Sequence, residues 1–544
     1  MQRDAYILEV LKKGVSRRSF LKTGLMGSAA FFGFSALEPF VKKAMAESAK
    51  PKKGGVFTVG YLMTPRSLDP HFETWPATLQ IVHQTNNCLV KFDTEGKNIL
   101  PDLAEKWEQN DELTYTFHLH KGVKFQNIPP VNGRELTSED VKYSIERQTT
   151  NQPGRYQHAY FFLDKLDKIL TPDKYTVVFK TKEPYAPFMN YMANPWTVIV
   201  AKELVEKHED LRQVAVGTGP FILKEFTPNV QTVLVRNPDY FKPGLPYVDE
   251  CRIQYIRDLS TLAAAVRGGQ VDVGQIMNIP DVEQIKAERP DINLIEVMGF
   301  FPLVMRIQPW DDKRPLKPPF DKVEVRKAIA HATNKEEYIK ITRIGYGQPM
   351  VGPIPPHRKP WALPESDNPK YDPELAKSLL AKAGYPNGFE VELICMNDAQ
   401  APPTAQVAKD QLGRVGIKAN LKVMESAQYY NKVYSYNYEM SVHYMLSGEE
   451  PEESLRPYFG STATYYRWNN KEIHRLIDEQ AKILDKQKRI EAIHQIQRMV
   501  IDDAPQTFLY NGIFHVAAQP WVKGYVPPLS GYDMRVENIW IDKT

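Results

Sequence analysis

Catalysis and metal binding need particular residue types at fixed spacings, and this 544-residue sequence offers few of them. It holds no G-x-S-x-G elbow, no H-E-x-x-H pair, no P-loop and no glycine-rich dinucleotide fingerprint. Adjacent acids occur at Glu449-Glu450 and Asp502-Asp503, but such pairs on a solvated chain are ordinarily surface charge. Among 12 histidines, His71 and His83 stand 12 positions apart; lone histidines are more often ordinary core or surface residues. Cys88, Cys251 and Cys395 are far from one another, with neither a C-x-x-C pair nor metal-ligand spacing. One disulfide or three buried thiols both fit, the thiols being the blander reading. The fold cannot depend on a disulfide framework.

Aromatic residues are the stronger chemical signal. Tyr429, Tyr430, Tyr434, Tyr436 and Tyr438 crowd one segment, and Tyr465, Tyr466 and Trp468 another. Aromatic faces give a ligand large contact area at low entropy cost; they also fill cores, which is the plainer reading for any single tyrosine. For Trp75, Tyr444 and Trp468 the two readings stand level. The run His443-Tyr444-Met445-Leu446-Ser447-Gly448-Glu449-Glu450-Pro451 combines aromatic and acidic groups.

The elements that must position these residues are mixed. Gly54–Gly60, Tyr115–Leu119, Tyr175–Phe179, Thr232–Val235 and Phe389–Leu393 read as strands. Thr137-Ser138-Glu139-Asp140 has the spacing of a helix start. Val325, Ala328, Ile329 and Ala332 share a helical face, and a further helix starts at Asp372-Pro373 and stops at Gly384. Two more carry Ile473, Leu476 and Ile477, and Ile490, Ile493, Ile496 and Val500. The order indicates an α/β chain without internal repeats, and Pro315–Pro319 is a candidate boundary.

The opening segment is of another kind. Arg17-Arg18 precedes Phe20-Leu21-Lys22, a 13-residue apolar run from Leu25 to Leu37, and Ala44-Met45-Ala46. A membrane span needs about 20 apolar residues. Basic, apolar and small-residue regions in that order predict a twin-arginine signal peptide over 1–46, cleaved after about Ala46. It holds eight Lys/Arg and three Asp/Glu, which leaves 61 basic and 63 acidic residues in 47–544, a net charge of −2. The +3 of the whole sequence is therefore a property of the leader, and nothing points to nucleic acid or an acidic membrane. The remaining 498 residues are too many for one core.

Seven separated stretches then share one pattern. They are Ser67-Leu68-Asp69-Pro70; Thr137 to Ser144 with Arg147; Gly217-Thr218-Gly219-Pro220-Phe221; Arg236-Asn237-Pro238-Asp239-Tyr240-Phe241 running into Pro246-Tyr247-Val248-Asp249; Pro319-Phe320-Asp321 before Val325-Arg326-Lys327; Gly416-Ile417; and Asp502-Asp503-Ala504-Pro505. In this order they resemble the peptide/nickel-binding (family 5) solute-binding proteins of bacterial ABC importers, over essentially all of 54–544. From the residues alone, Gly-x-Gly-Pro is a turn that lets the chain re-enter a sheet, and Asn-Pro-Asp-Tyr a turn with an aromatic plug.

The resemblance implies a two-lobed periplasmic-binding-protein fold, type II and cluster C-like, with an inserted sub-domain and a hinge. Lobe I would comprise 54–94, 213–312 and 512–544, with 95–212 inserted, and lobe II 313–511. The lobes would cross near Trp310 and Tyr510. The protein would be a periplasmic monomer without catalysis, handing a solute to an ABC permease and its ATPase in the inner membrane. The implied ligand-binding residues are Tyr61, Met63, Trp75, Tyr444, Met445, Ser447, Glu449 and Trp468, with no catalytic or metal residue and no cofactor.

Peptide-binding members carry an aspartate where Ser447 stands, counting back from Pro451, and the aspartate takes the peptide α-ammonium. Glu449 or Glu450 could replace it under another register. The carboxylate-binding arginine of dipeptide binders is also missing, from Cys395-Met396-Asn397-Asp398-Ala399. Both departures argue against a free dipeptide, because a buried zwitterion needs opposite charges at each end. An oligopeptide or peptide-like solute remains, with an opine, a sugar or a metal chelate as the alternative and a secreted enzyme as a remote one.

Overall fold

In a computed structural model the described residues are 50–543, apart from 74–75, 95, 150–162, 209 and 528–533. The signal segment 1–46 and Trp75 lie outside the described residues. The chain from Lys53 onward forms one unit, organised by a 12-stranded mixed sheet.

The 13-residue strand Gln506–Ala518 runs through the middle of that sheet. Its first half pairs with Leu303–Ile307 and Gly347–Pro349, and its second half with Asn293–Met298 and Val273–Ile276. On one side the sheet continues through Met440–Tyr444, Phe389–Met396 and Ile417–Met424. On the other it continues through Val56–Tyr61, Glu250–Tyr255, Gln231–Arg236 and Phe221–Thr227. Strand pairing therefore changes from one half to the other at 299–302 and in the long strand near Asn511 and Gly512. Trp310 lies beyond the first of these passages, in an isolated bridge with Trp468.

Each half contains parallel strands, which need crossover connections. Val56–Tyr61 lies parallel to both Glu250–Tyr255 and Val273–Ile276. Helix Leu259–Arg267 makes the crossover between the latter two, started by the Asp258 side chain, which accepts from Thr261 N at 2.7 Å. The helix sits close to the sheet because glycines leave room. A Cβ on Gly60 would lie 2.3 Å from Leu262 Cδ1. In the other half Phe389–Met396 is parallel to Ile417–Met424 and Met440–Tyr444, with helix Ala401–Gly413 as one crossover. A separate four-stranded antiparallel sheet, ordered Ala104–Asp111, Thr114–Leu119, Thr176–Thr181 and Leu166–Asp173, has its own core around Phe117, Phe179 and Phe188.

The motif stretches turn out to be joints of this scaffold. Asp69 pairs with Arg147, both buried, and Arg147 Nη1 donates to His71 Nδ1 at 3.0 Å, so the His71 Nε2–H donates to Val198 O at 2.9 Å. Burial alone would raise the Asp69 carboxyl; the Arg147 hydrogen bonds outweigh it and hold the group below its ordinary range. Burial pushes His71 down to about 4. The Asn237 side chain accepts from Asp239 N and donates to Gly219 O, while Tyr240 is buried with its hydroxyl on Glu537, as a turn with an aromatic plug requires. The Gly217 and Gly219 pair acts differently from the expected turn. Neither has a positive φ, and a Cβ on Gly219 would lie 2.4 Å from the Thr85 carbonyl carbon. These glycines permit close backbone approach to the end of helix Pro76–Thr85. Asp503, expected as surface charge, instead accepts from Arg326, Trp468 and Asn470. All three cysteines are buried thiols.

Candidate functional site

Parallel strands in each half end on a common cavity of about 390 Å³. Carboxyl ends of parallel strands are where open α/β sheets bind ligands, because side chains there diverge into a crevice. Tyr61, Leu62 and Met63 extend from Val56–Tyr61, and Met277 follows Val273–Ile276. Tyr444 ends Met440–Tyr444 from the other half, joined by Tyr430 and Gln400. Phe300 and Phe301 enter from the 299–302 passage, Phe514 from the long strand, and Tyr525 and Met534 from the C-terminal segment. Among the described residues lining this cavity none is charged.

The aromatic walls are held in place from behind. Tyr444 donates its hydroxyl to Asp398 Oδ2 at 2.9 Å, and Asp398 Oδ1 accepts from Gln400 N at 2.8 Å and Ala401 N at 2.7 Å. Asp398 thus fixes the start of helix Ala401–Gly413 and the Tyr444 ring together. Burial, then the Asp398 charge, holds the Tyr444 phenol far above its ordinary value, so it stays protonated. Burial does the same for Tyr61. Tyr430 stacks on Tyr434 with ring centroids 5.6 Å apart and packs edge-on against Tyr429. Tyr429 and Tyr438 are core residues, and Tyr434 is exposed. The tyrosine-rich segment therefore divides among cavity, core and surface.

The residues expected to bind ligand are distributed as follows. Tyr61, Met63 and Tyr444 line the cavity together. Met445 is buried in the core, its N–H donating to Pro302 O at 2.8 Å. Ser447 is buried, its N–H on Phe300 O, and its hydroxyl has no hydrogen-bond partner among the described residues. Glu449 pairs with Arg358 and lines a second, smaller cavity. Trp468 is 1% exposed, donates to Asp503 Oδ2 at 2.6 Å, packs on Trp310 and does not line the 390 Å³ cavity. Sequence reasoning missed Phe300, Phe301, Phe514 and Tyr525. Gly299-Phe300-Phe301-Pro302 was the available signal, two bulky aromatics between two strands.

Two α/β halves that share a strand and line one cavity define a two-lobed binding-protein fold. A match over residues 98–466 to the bacterial extracellular solute-binding proteins, family 5 (middle region), makes the assignment specific. Heme-binding protein A of Haemophilus influenzae is 30% identical over 478 residues, covering 83% of this chain and 86% of that protein. Among solved structures, the periplasmic binding protein DppA of Helicobacter pylori, in complex with the peptide STSA, superimposes with a TM-score of 0.77 at 26% identity, covering 92% of this chain and all of that one. AgaA of A. tumefaciens R10, in complex with agropinic acid, gives 0.75 at 28% identity, covering 90% of this chain and 99% of that one. The chain belongs to the family 5 bacterial extracellular solute-binding proteins. Members of this family are binding proteins of ABC importers rather than enzymes, and no helix among the described residues is long and apolar enough to cross a membrane.

Proposed function

We propose that this protein captures a peptide-like solute with apolar side chains in the 390 Å³ cavity and delivers it to an ABC permease. The observation that carries the reading is a lining drawn from both halves of the sheet that is mainly aromatic and aliphatic, with Gln80, Gln275 and Gln400 as its amides, and, among the described residues, uncharged. Such a lining recognises shape and apolar area, at about 25 cal/mol per Å² buried. Kinship supports the peptide class: the similar DppA holds the peptide STSA.

A second reading, a neutral non-peptide solute, is favoured by one feature. Asp398 is committed to Tyr444 and the helix start, and Ser447 is uncharged, so neither provides the charge that a free dipeptide would meet.

In this account the protein is exported by the twin-arginine route, cleaved after about Ala46, and acts as a periplasmic monomer. The passages at 299–302 and near Gly512 serve as hinges between lobes, with 95–212 moving as part of lobe I. Ligand contacts both halves and so shifts the population towards the closed form. Small-angle scattering with and without Leu-Leu-Leu tests this, with calorimetry confirming that the peptide binds. The radius of gyration is expected to fall on saturation; an unchanged profile with a bound peptide contradicts it.

A further inference from the structure

The segment 183–194, which follows the four-stranded antiparallel sheet, meets a cluster of acids at the start of the helix Pro451–Phe459. Tyr185 donates its hydroxyl to Glu452 Oε2 at 2.7 Å, and Asn190 donates its amide to Glu450 Oε2 at 2.5 Å. Beside them Ala186 N donates to Ala481 O at 2.7 Å, and Lys482 pairs with Glu183 at 2.6 Å. Ala481 is buried in the same core as Phe117, Phe179 and Phe188. Glu450, Glu452 and Glu453 are each 2% exposed or less. This contact joins residues 183–194 to residues 450–482, which the hinge reading above assigns to different lobes.

Arginines neutralise most of these acids. Glu449 pairs with Arg358, Glu450 with Arg489, and Glu452 with Arg456. Glu453 has no ion-pair partner among the described residues, and its side-chain hydrogen bond is a long one, from Asn194 Nδ2 to Oε1 at 3.4 Å. Glu449 and Glu450 face it from its own turn, Tyr191 and Asn194 from the segment 183–194, and Arg358 from the loop that holds Glu449. Lys91, Asp93 and Arg535 stand across a cavity of about 150 Å³, the smaller one, which Glu449 and Glu453 also line. Gly448 abuts the carboxyl, since a Cβ there would lie 1.2 Å from Glu453 Oε2. An uncompensated buried charge is expensive. Burial, followed by the Glu450 and Glu449 charges, keeps the Glu453 carboxyl well above the carboxylate range, with Arg358 opposing.

We propose that this contact is a proton-dependent clasp, which closes with a proton on Glu453 and opens as that proton returns to water, so that capture of the solute strengthens as pH falls. The inference rests on the hinge reading above, in which 95–212 moves away from 313–511 on opening. In the open form water reaches Glu453, and its ordinary value of 4.5 returns. Closing at any pH between that value and the raised one therefore takes up a proton. The contribution to closure is fully present below 4.5 and is lost as pH rises towards the raised value, by about tenfold in the closure constant per pH unit at most. Burial raises Glu452 as well, against Arg456, and adds to the same slope. Burial would also raise Glu183, but Lys482 and Lys165 outweigh it and hold the group low, so Glu183 opposes the slope only below 4.5.

The test is calorimetry of Leu-Leu-Leu, in two buffers of different ionisation enthalpy, with small-angle scattering before and after saturation, at pH 5.5 and 7.0. It uses the native protein, Glu453→Gln, which imitates the protonated acid, and Glu453→Met, which is apolar and of similar length. The native protein is expected to bind at least fivefold more tightly at pH 5.5, to take up a proton on binding at pH 7.0, and to be more compact without ligand at pH 5.5. Both variants are expected to bind equally at the two pH values and to take up no proton from this position. Native affinity that does not change with pH overturns the inference, needs no variant to fold, and leaves the peptide reading standing. A variant that keeps the native pH slope overturns it too. A radius of gyration that does not fall on saturation removes the hinge reading and the clasp together; a fall at both pH values with unchanged affinity removes the clasp alone. If Leu-Leu-Leu does not bind, the peptide reading falls and the ligand-free scattering decides: compaction at pH 5.5 in the native protein but not in the variants upholds the clasp, and any other result overturns it.

Discussion

The larger cavity has no charged residue among the described residues that line it, whereas Asp93, Glu449, Glu453, Lys91 and Arg535 border the smaller one across the 524–527 segment. The contrast separates two roles. Apolar walls give affinity roughly in proportion to area and discriminate weakly. A buried carboxyl makes closure depend on its proton, because the alternative is an unpaired buried charge. The same contrast appears within the acidic run itself, where three glutamates are neutralised by arginines and serve the scaffold, and one is not.

The largest expected effect breaks a neutralised pair. Arg489 is 5% exposed at its side chain and contacts Glu450 and Gln480. Arg489→Ala leaves Glu450 buried and unpaired, and a loss of about 3–5 kcal/mol of stability is expected in chemical denaturation. Glu453→Gln at pH 7 is expected to be neutral or stabilising in the same assay. A comparable loss for both would erase the distinction between paired and unpaired glutamates.

Next comes the apolar wall. Tyr444→Ala removes a ring from the cavity and releases Asp398, and about a 10- to 100-fold loss of affinity for Leu-Leu-Leu is expected by calorimetry.

The third prediction concerns pH. Glu453 has a raised folded value, so its contribution to stability is fully present below the ordinary carboxylate pKa and is lost as pH rises through the folded value. Asp69 has a lowered value; its contribution is present above the ordinary pKa and is lost as pH falls through the folded one. His71, pushed down to about 4, likewise favours the folded state above its ordinary value of 6.5 and ceases to do so as pH falls towards 4. Denaturation curves compared with the native protein should therefore diverge in opposite directions: Glu453→Gln gains relative stability as pH rises above the ordinary carboxylate value of 4.5, whereas the deficit of Asp69→Asn shrinks as pH falls below the ordinary value of 3.8. Parallel slopes would remove the contrast.

The smallest effect is that of Tyr444→Phe, which keeps the ring and loses the bond to Asp398. A few-fold loss of affinity is expected, on the order of 1 kcal/mol. A loss as large as that for alanine would show that the hydroxyl, not the ring, recognises the solute.

Much of the scaffold was legible because it is written in local patterns. The alternation of Thr114–Leu119, the apolar face of Val323–His331 and the Asp372-Pro373 start of the helix Pro373–Lys382 each announce an element whose residues are neighbours in sequence. Tyr61, Met63 and Tyr444 were legible through the family resemblance, and they line the cavity at or just beyond strand ends. The rest depends on long-range contact. Trp468 looks like a ligand-stacking residue until Asp503 and Trp310 are brought against it. Phe300 and Phe301 gain meaning only when the two strands they join pair with one long strand. Four glutamates within five positions look alike in sequence; Arg358, Arg456 and Arg489, spread over 131 positions, tell them apart.

The most direct test of the central claim is gentle-release mass spectrometry of the protein purified from its native compartment. The account predicts a co-purified ladder of short peptides rich in apolar side chains. A single non-peptide species, such as an opine or a metal chelate, would contradict it.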